Sequence, residues 1–349
     1  MRVVVTGASG NVGSALVERL AAEPGIETIL GICRREHDWR PPKTQWRNAD
    51  VETDDLVTLF EGADVVVHLA WLFHPMRRPH VTWNANAEGT RRVLDAVNQA
   101  GVGAVVVASS VGAYSRRESL DPVDESWPTH GLRQTAYSRE KAMVERQLDA
   151  FALEHPDRRV VRMRPGFTFS ERASTQQRRL FLGPLVPHAL LKPGRFPVLP
   201  LPRDLRLQAL DARDVADAYA EAVLRPVAGA FNLAADDGLG SCELAELLHS
   251  RWVPTPAPVL HTAVAAAFHA RAVPVAPELF DLLMAVPVMG TARAHAELGW
   301  SPRYSSAEAL RAFFAGLRHD SDVPTPPLAR STSGFSREHE LATGLGQQP

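Results

Sequence analysis

The chain is poor in the residues on which several kinds of function depend. Two cysteines, Cys33 and Cys242, occur in 349 residues, too few for a thiolate metal site or a disulfide framework. Its thirteen histidines show no ligand spacing, so no metal is implied. Neither sign of charge is in excess: 38 basic against 40 acidic residues leave a formal net charge of −2. Nothing is left over to neutralise a phosphate backbone, which argues against nucleic acid as a partner. Long apolar runs are missing too. Val65–Val67 and Leu69–Phe73 are separated by His68 and are far too short to span a bilayer, so no membrane association is expected. The first residues reach a glycine at Gly7, too soon for the apolar region of a signal peptide, and the expected location is cytoplasmic. Only Lys43, Lys141 and Lys192 are lysines; the bias to arginine carries no function by itself.

What is present reads as a folded α/β protein. Hydrophobic residues make up 45% and charged residues 22%, close to the globular average. Short β-branched runs alternate with amphipathic stretches, the pattern of a parallel sheet with helices on both faces. Strands are expected at Arg2–Thr6, Thr28–Ile32, Asp64–His68, Ala104–Ser109 and Arg159–Arg164, and helices at Asn11–Ala22, Thr53–Glu61, Asn84–Ala100 and Gln134–Glu154. After Arg164 a run of prolines that includes Pro184, Pro187 and Pro193 predicts an irregular excursion rather than sheet. Asp214–Leu224 and Ala230–Leu233 return to the regular layout. The fold class expected is a Rossmann-type, doubly wound parallel sheet with a smaller, mostly helical C-terminal substrate lobe. Residues 1–165 and 206–237 would form the first unit and 166–205 and 238–318 the lobe. Residues 319–349 have the composition of a flexible tail dispensable to activity.

Thr6-Gly7-Ala8-Ser9-Gly10-Asn11-Val12-Gly13 stands between the first strand and the first helix. Glycines there let the backbone turn tightly and approach a pyrophosphate, met by free N–H groups and the positive end of the helix dipole. In sites selective for NAD, an acid about 20 residues beyond the last glycine binds the ribose hydroxyls. That count from Gly13 falls on Cys33, followed by Arg34 and Arg35. Two guanidiniums suit a 2′-phosphate, so NADP is expected over NAD.

Tyr137 and Lys141 lie four residues apart, on one face of a predicted helix. A neighbouring ammonium favours phenolate, so Lys141 would lower the pKa of Tyr137 and fit it to exchange a proton with an alcohol or carbonyl. Ser109 and Ser110 close the fourth predicted strand, at the carboxyl edge where α/β folds collect their ligands, and a hydroxyl there would orient the reacting oxygen.

These residues resemble the extended short-chain dehydrogenase/reductase superfamily and, within it, the NAD-dependent epimerase/dehydratase family, over about Met1 to Leu317. The glycine loop is similar to its TGxxGxxG motif, and Ser110 with Tyr137 and Lys141 to its Ser, Tyr-x-x-x-Lys catalytic set. Asp50 followed by Val51 resembles the adenine-contacting segment. His68-Leu69-Ala70-Trp71 resembles the strand end that lines the cofactor, and Asn86 with Gly89-Thr90 the NxxGT helix start. Arg164-Pro165, Asp214-Val215-Ala216 and Leu298-Gly299-Trp300 resemble later landmarks. The resemblance implies a cofactor site of Gly7, Ser9, Gly10, Asn11, Val12, Gly13, Arg34, Arg35, Asp50, Val51, Leu69, Ala70, Trp71, Asn86, Ser109, Tyr137, Lys141 and Pro165. It also implies Tyr114 and Arg206 toward the substrate, and a homodimer. Val111-Gly112 stands where the family's dehydratases carry Asp-Glu, which disfavours elimination of water. Gly166 to Ser170 departs from the pattern of many nucleotide-sugar enzymes.

The expected activity is NAD(P)-dependent hydride transfer at a secondary alcohol or ketone carbon of a small molecule. It would end either in sugar epimerisation or in NADPH-dependent carbonyl reduction. The alternative is a non-catalytic NAD(P)-sensing protein, against which the presence of both Tyr137 and Lys141 argues. His74, His80 and His130 fall in predicted loops where a solvated role is the ordinary one.

Overall fold

A computed structural model describes residues 1–73, 79–182, 194–270, 273, 276–319 and 324–328. Valine-rich runs with both faces buried build the centre of a parallel sheet, which helices must then cover on each side. In order come β1 (Arg2–Thr6), α1 (Asn11–Ala21), β2 (Thr28–Cys33), β3 (Thr44–Asn48), α2 (Leu56–Phe60), β4 (Val65–His68), α3 (Pro79–Trp83), α4 (Gly89–Gln99) and β5 (Ala104–Ala108). Then follow α5 (Ala136–Glu154), β6 (Arg159–Pro165), β7 (Phe167–Phe169), α6 (Ser174–Leu182), β8 (Val198–Leu201), β9 (Ala209–Asp211), α7 (Ala212–Leu224) and β10 (Gly229–Leu233). The last are α8 (Ser241–Leu247), β11 (Arg251–Pro254), α9 (Ala257–His269), α10 (Pro277–Ala285) and α11 (Ser306–His319).

Seven strands pair in the order β3-β2-β1-β4-β5-β6-β10, and all neighbours are parallel. Alternate residues feed two cores. Val3 and Val5 pack with Leu16 and Leu20 of α1 and Val215 and Tyr219 of α7. Val4, between them, packs with Val93 and Val97 of α4 and Val144 and Leu148 of α5. Strand order reverses between β1 and β4, whose ends meet in register at Thr6 and His68. Crevices of this kind, outside the carboxyl ends of the strands, are where open α/β sheets take ligands.

Several expectations change. β3 was not anticipated: Thr44-Gln45-Trp46-Arg47-Asn48 is an edge strand, exposed along much of its length, and carries no apolar run to announce it. Trp46 lies flat on Gly31, where a Cβ would come within 2.5 Å of the indole. The stretch read as excursion contains β7 and β8, which pair with β9 and β11 in two small parallel sheets. The helix expected from Asn84 to Ala100 opens with a π-helical turn, Asn84–Glu88, a distortion often found at functional sites. Pro324–Leu328 is packed against the fold, with Thr325 and Leu328 buried, so this part of the expected flexible tail is not free. Residues 329–349, His74, Pro184, Pro187 and Pro193 lie outside the described residues. Among the described residues no helix is long and apolar enough to cross a membrane, and no cluster of His, Cys, Asp and Glu could hold a metal ion.

Candidate active site

The three glycines of the first turn do different work. Gly7 adopts φ +70°, and a Cβ on it would fall 2.6 Å from the backbone nitrogen of Ala70, so it permits both the turn and the approach of the chain after β4. Gly13 admits no side chain because a Cβ would fall 2.2 Å from the Gly7 carbonyl oxygen; it seats α1 on the turn. At Gly10 the nearest atom to a Cβ would be 3.3 Å away, which leaves that side accessible to a ligand. Turn, access and helix packing are the three functions such glycines serve in a dinucleotide cradle. Ser9 is buried; nearby, the Cys33 thiol, which burial pushes up, donates to the Arg35 carbonyl at 3.3 Å. Arg34 and Arg35 are exposed just beyond β2, and the charge of Arg34 acts on Glu52. Asp50 is half-buried and accepts from the backbone of Glu52 at 3.0 Å. Val51 is buried in the core.

Ser110, Tyr137 and Lys141 come together beyond the carboxyl end of β5. Ser110 caps a short turn, Val111–Ala113, its hydroxyl accepting from Gly112 N at 3.0 Å. The same hydroxyl lies close enough to the Tyr137 phenol to lower its pKa against the effect of burial. Gly112 makes room for that phenol, since a Cβ there would fall 2.6 Å from the tyrosine ring. Lys141 is buried; its ammonium donates to the Ala108 carbonyl at 2.7 Å and lies 3.3 Å from the centroid of the Trp71 indole. Trp71 and Phe73 stand edge-on to the Tyr137 ring, at 5.8 and 5.2 Å between centroids. The Trp71 Nε1 is buried with no protein partner, an orphaned donor beside the lysine.

The charge state differs from the sequence-based expectation. Burial pushes the Tyr137 phenol up to about 12, opposed by the Ser110 hydroxyl and reinforced by Glu140. Burial also pushes Lys141 down to about 7, with Glu140 and Glu145 opposing it. The ammonium is engaged by Ala108 and Trp71 and sits 5.9 Å from the centroid of the tyrosine ring. In the chain by itself, desolvation therefore outweighs any help Lys141 gives to phenolate.

A clamp of which the sequence signalled Asn86, but neither Thr82 nor Glu140, holds this arrangement. Asn86, on the π turn, accepts from Leu72 N at 2.7 Å and donates to Leu72 O at 3.0 Å, fixing the segment that carries Trp71 and Phe73. It also donates to Glu140 at 2.8 Å, and Thr82 donates to the other carboxylate oxygen at 2.6 Å. Glu140 is buried and stands beside Lys141. The available clue was its place on the stripe of α5 shared by Lys141, Val144 and Leu148, where an acid must find partners.

Ser109 and Tyr114 face the protein rather than the cleft. The Ser109 hydroxyl donates to Glu145, which Arg164 also binds through two nitrogens at 2.8 and 2.9 Å. Tyr114 is 1% exposed; its hydroxyl donates to Asn232 and accepts from Arg164. Its polar atom is thus consumed inside the fold, which corrects the expectation of a substrate-facing wall. Arg206 is half-buried against Gly240 and donates to the Leu205 carbonyl. Pro165 ends β6, and Leu69 and Ala70 follow β4 beside Gly7. His80 and His130 are exposed. His68, which bridges Thr6 and Thr90 at 2.7 and 3.1 Å, is pushed down to about 3 by burial and is neutral.

The sequence profile of the NAD dependent epimerase/dehydratase family matches residues 3–234. The chain belongs to this family. It is 28% identical over 321 residues to the Mycobacterium tuberculosis protein Rv2047c, spanning 91% of this chain but only 30% of that longer protein. It is 27% identical over 360 residues to Rv0501 of the same species, covering 99% of this chain and 90% of the relative. Over a shorter stretch of 110 residues it is 36% identical to an L-arabinose 1-dehydrogenase (NAD(P)(+)) of Haloferax volcanii, covering 31% and 41% of the two chains. A UDP-glucose-4-epimerase from Stenotrophomonas maltophila, solved with NAD and a formylated UDP-arabinopyranose, superimposes with a TM-score of 0.70 at 22% identity, over 92% of this chain and 99% of that one. A UDP-glucose 4-epimerase from Thermotoga maritima gives 0.69 at 18% over 92% and 99%. At these identities the likeness to the solved structures is one of fold. As a member of the family, the chain has a cleft whose residues fit a dinucleotide: the open side of Gly10 on one flank, and the orphaned Trp71 donor with Lys141 on the other.

Proposed function

We propose that the protein is an NAD(P)-dependent oxidoreductase acting at a secondary alcohol or ketone carbon, with Tyr137 exchanging the proton. The observation that carries this reading is the meeting of Ser110, Tyr137 and Lys141 beside the β1/β4 crevice. A nicotinamide ring, when bound, supplies or accepts the hydride, and its positive oxidised form adds to the charge favouring phenolate. Gly7, Gly10 and Gly13 would cradle the pyrophosphate, and Asn86 would act by holding the Trp71–Phe73 segment. In the reducing direction the phenol, neutral at every ordinary pH, gives its proton to the carbonyl oxygen that Ser110 orients. In the oxidising direction it takes that proton back, which requires the ammonium of Lys141.

Carbonyl reduction is the leading outcome. The rings of Trp71 and Phe73 pack around the phenol and suit an apolar ketone, while the lack of acids in Val111-Gly112 fits reduction and epimerisation alike. Nucleotide-sugar epimerisation is the second reading, favoured by family membership and by solved fold neighbours that carry UDP-sugars. A reductase consumes NADPH in step with substrate; an epimerase shows no net change at the nicotinamide absorbance.

Arg34 and Arg35 favour NADP. The wild type is expected to bind NADPH more tightly than NADH by about tenfold or more, and Arg34→Ala with Arg35→Ala to abolish the preference. Equal affinities in the wild type would remove the NADP assignment and leave the rest intact.

A further inference from the structure

The carboxyl-terminal residues 324–328 return to the glycine loop. Thr325 is fully buried and donates its hydroxyl to the Ser9 carbonyl at 2.9 Å, across 316 positions of sequence. Leu328, 1% exposed, packs with Ala173 and the half-buried Trp39. Trp39 belongs to the loop that carries Arg34 and Arg35. Ala173 closes a turn in which Ser170 donates to the Asn11 side chain at 2.7 Å and accepts from Ala173 N at 3.0 Å. Segments from three distant parts of the chain thus meet at the rim of the dinucleotide loop. The helix that leads there is fitted to the same turn: a Cβ on Gly316 of α11 would fall 2.1 Å from the Glu171 carbonyl oxygen.

We propose that residues 324–328 form a third wall of the dinucleotide site and slow the escape of a bound nicotinamide cofactor. Thr325 engages a carbonyl of the loop rather than one of the N–H donors that would meet phosphate. Its attachments run from Ser9 in the phosphate loop to Trp39 beyond the two arginines, flanking the adenosine half of a dinucleotide and leaving Tyr137 unobstructed. Pro324, Pro326 and Pro327 restrict the unbound segment and reduce the entropy lost when it docks. The inference rests on the reading of the loop as a dinucleotide site.

The test is stopped-flow release of NADPH and NADH from the full chain, the wild type compared with Thr325→Val, Leu328→Ala and Leu328→Asp. Dissociation is expected to quicken by about tenfold in Leu328→Asp and about threefold in Thr325→Val, with association little changed, as contact losses act mainly on release. Thermal unfolding without cofactor accompanies each variant, and Leu328→Ala takes the place of Leu328→Asp should the charge prevent folding. Release at the wild-type rate from folded variants would overturn the wall while leaving the proposed function standing. Tighter binding in the variants would also overturn it, because the segment would then obstruct the site. A wild type that binds neither nucleotide would defeat the functional reading itself.

Discussion

At Lys141 two demands collide. Its side chain is buried against Trp71 and the Ala108 carbonyl, which drives its pKa from 10.5 down to about 7, yet the proposed chemistry needs the charge. The unfolded chain holds that proton up to about 10.5 and the folded chain only to about 7. Between those values the unfolded state binds more protons, so this residue makes stability rise with pH. Lys141→Met is expected to raise the Tm by several degrees at pH 7, the gap closing toward pH 10, while turnover falls by about two orders of magnitude. Wild-type oxidation of an alcohol would weaken above pH 7 as the ammonium is lost. A Lys141→Met variant with unchanged turnover would show that the amine is structural only.

The elements that place the chemistry differ in how openly the sequence declares them. β1 and α1 were legible because their apolar periods are uninterrupted and glycines stand at the turn between them, and α5 by its length, although Glu140, Lys141 and Glu145 interrupt its buried face. β3 was not, since an edge strand with polar residues on most positions has no pattern to read. The clamp of Thr82, Glu140 and Asn86 joins residues 54 and 58 positions apart, and such pairings exist only once α5 has docked. Tyr114 was misread for the same reason: its partners Asn232 and Arg164 come from β10 and β6.

The turn after β5 offers a test at this scale. A methyl group on Gly112 meets the Tyr137 ring at 2.6 Å, whereas one on Gly25 meets nothing within 4 Å. Gly112→Ala is expected to displace the phenol and reduce kcat by about tenfold or more, whereas Gly25→Ala should keep the wild-type kcat and, by thermal unfolding, the wild-type stability within about 0.5 kcal/mol. Equal kcat in the two variants would mean that Tyr137 has no fixed place in the reaction.

For the whole molecule, the doubly wound parallel sheet was implicit in the alternation of strands and helices, but the docking of residues 324–328 was not. A proline-rich, polar segment has no periodicity, and its burial depends on Trp39 and Ala173 arriving from elsewhere. The homodimer implied by family membership would use α4 and α5, and Met143 and Leu153 on α5 are 36% and 83% exposed. Sedimentation equilibrium is expected to give twice the 38.1 kDa chain mass, with Leu153→Glu shifting the molecule toward monomer. A wild-type monomer at micromolar concentration would remove the dimer from the account.

The most direct test of the central claim is a titration of wild type, Gly13→Ala and Tyr137→Phe with NADPH and NADH, followed by nicotinamide fluorescence and by turnover of a panel of ketones and nucleotide sugars. The wild type should bind and react. Gly13→Ala, whose methyl would meet the Gly7 carbonyl at 2.2 Å, should lose binding. Tyr137→Phe should bind within about threefold of wild type but turn over about two to four orders of magnitude more slowly. Binding of neither nucleotide by the wild type, or full activity in Tyr137→Phe, would contradict it.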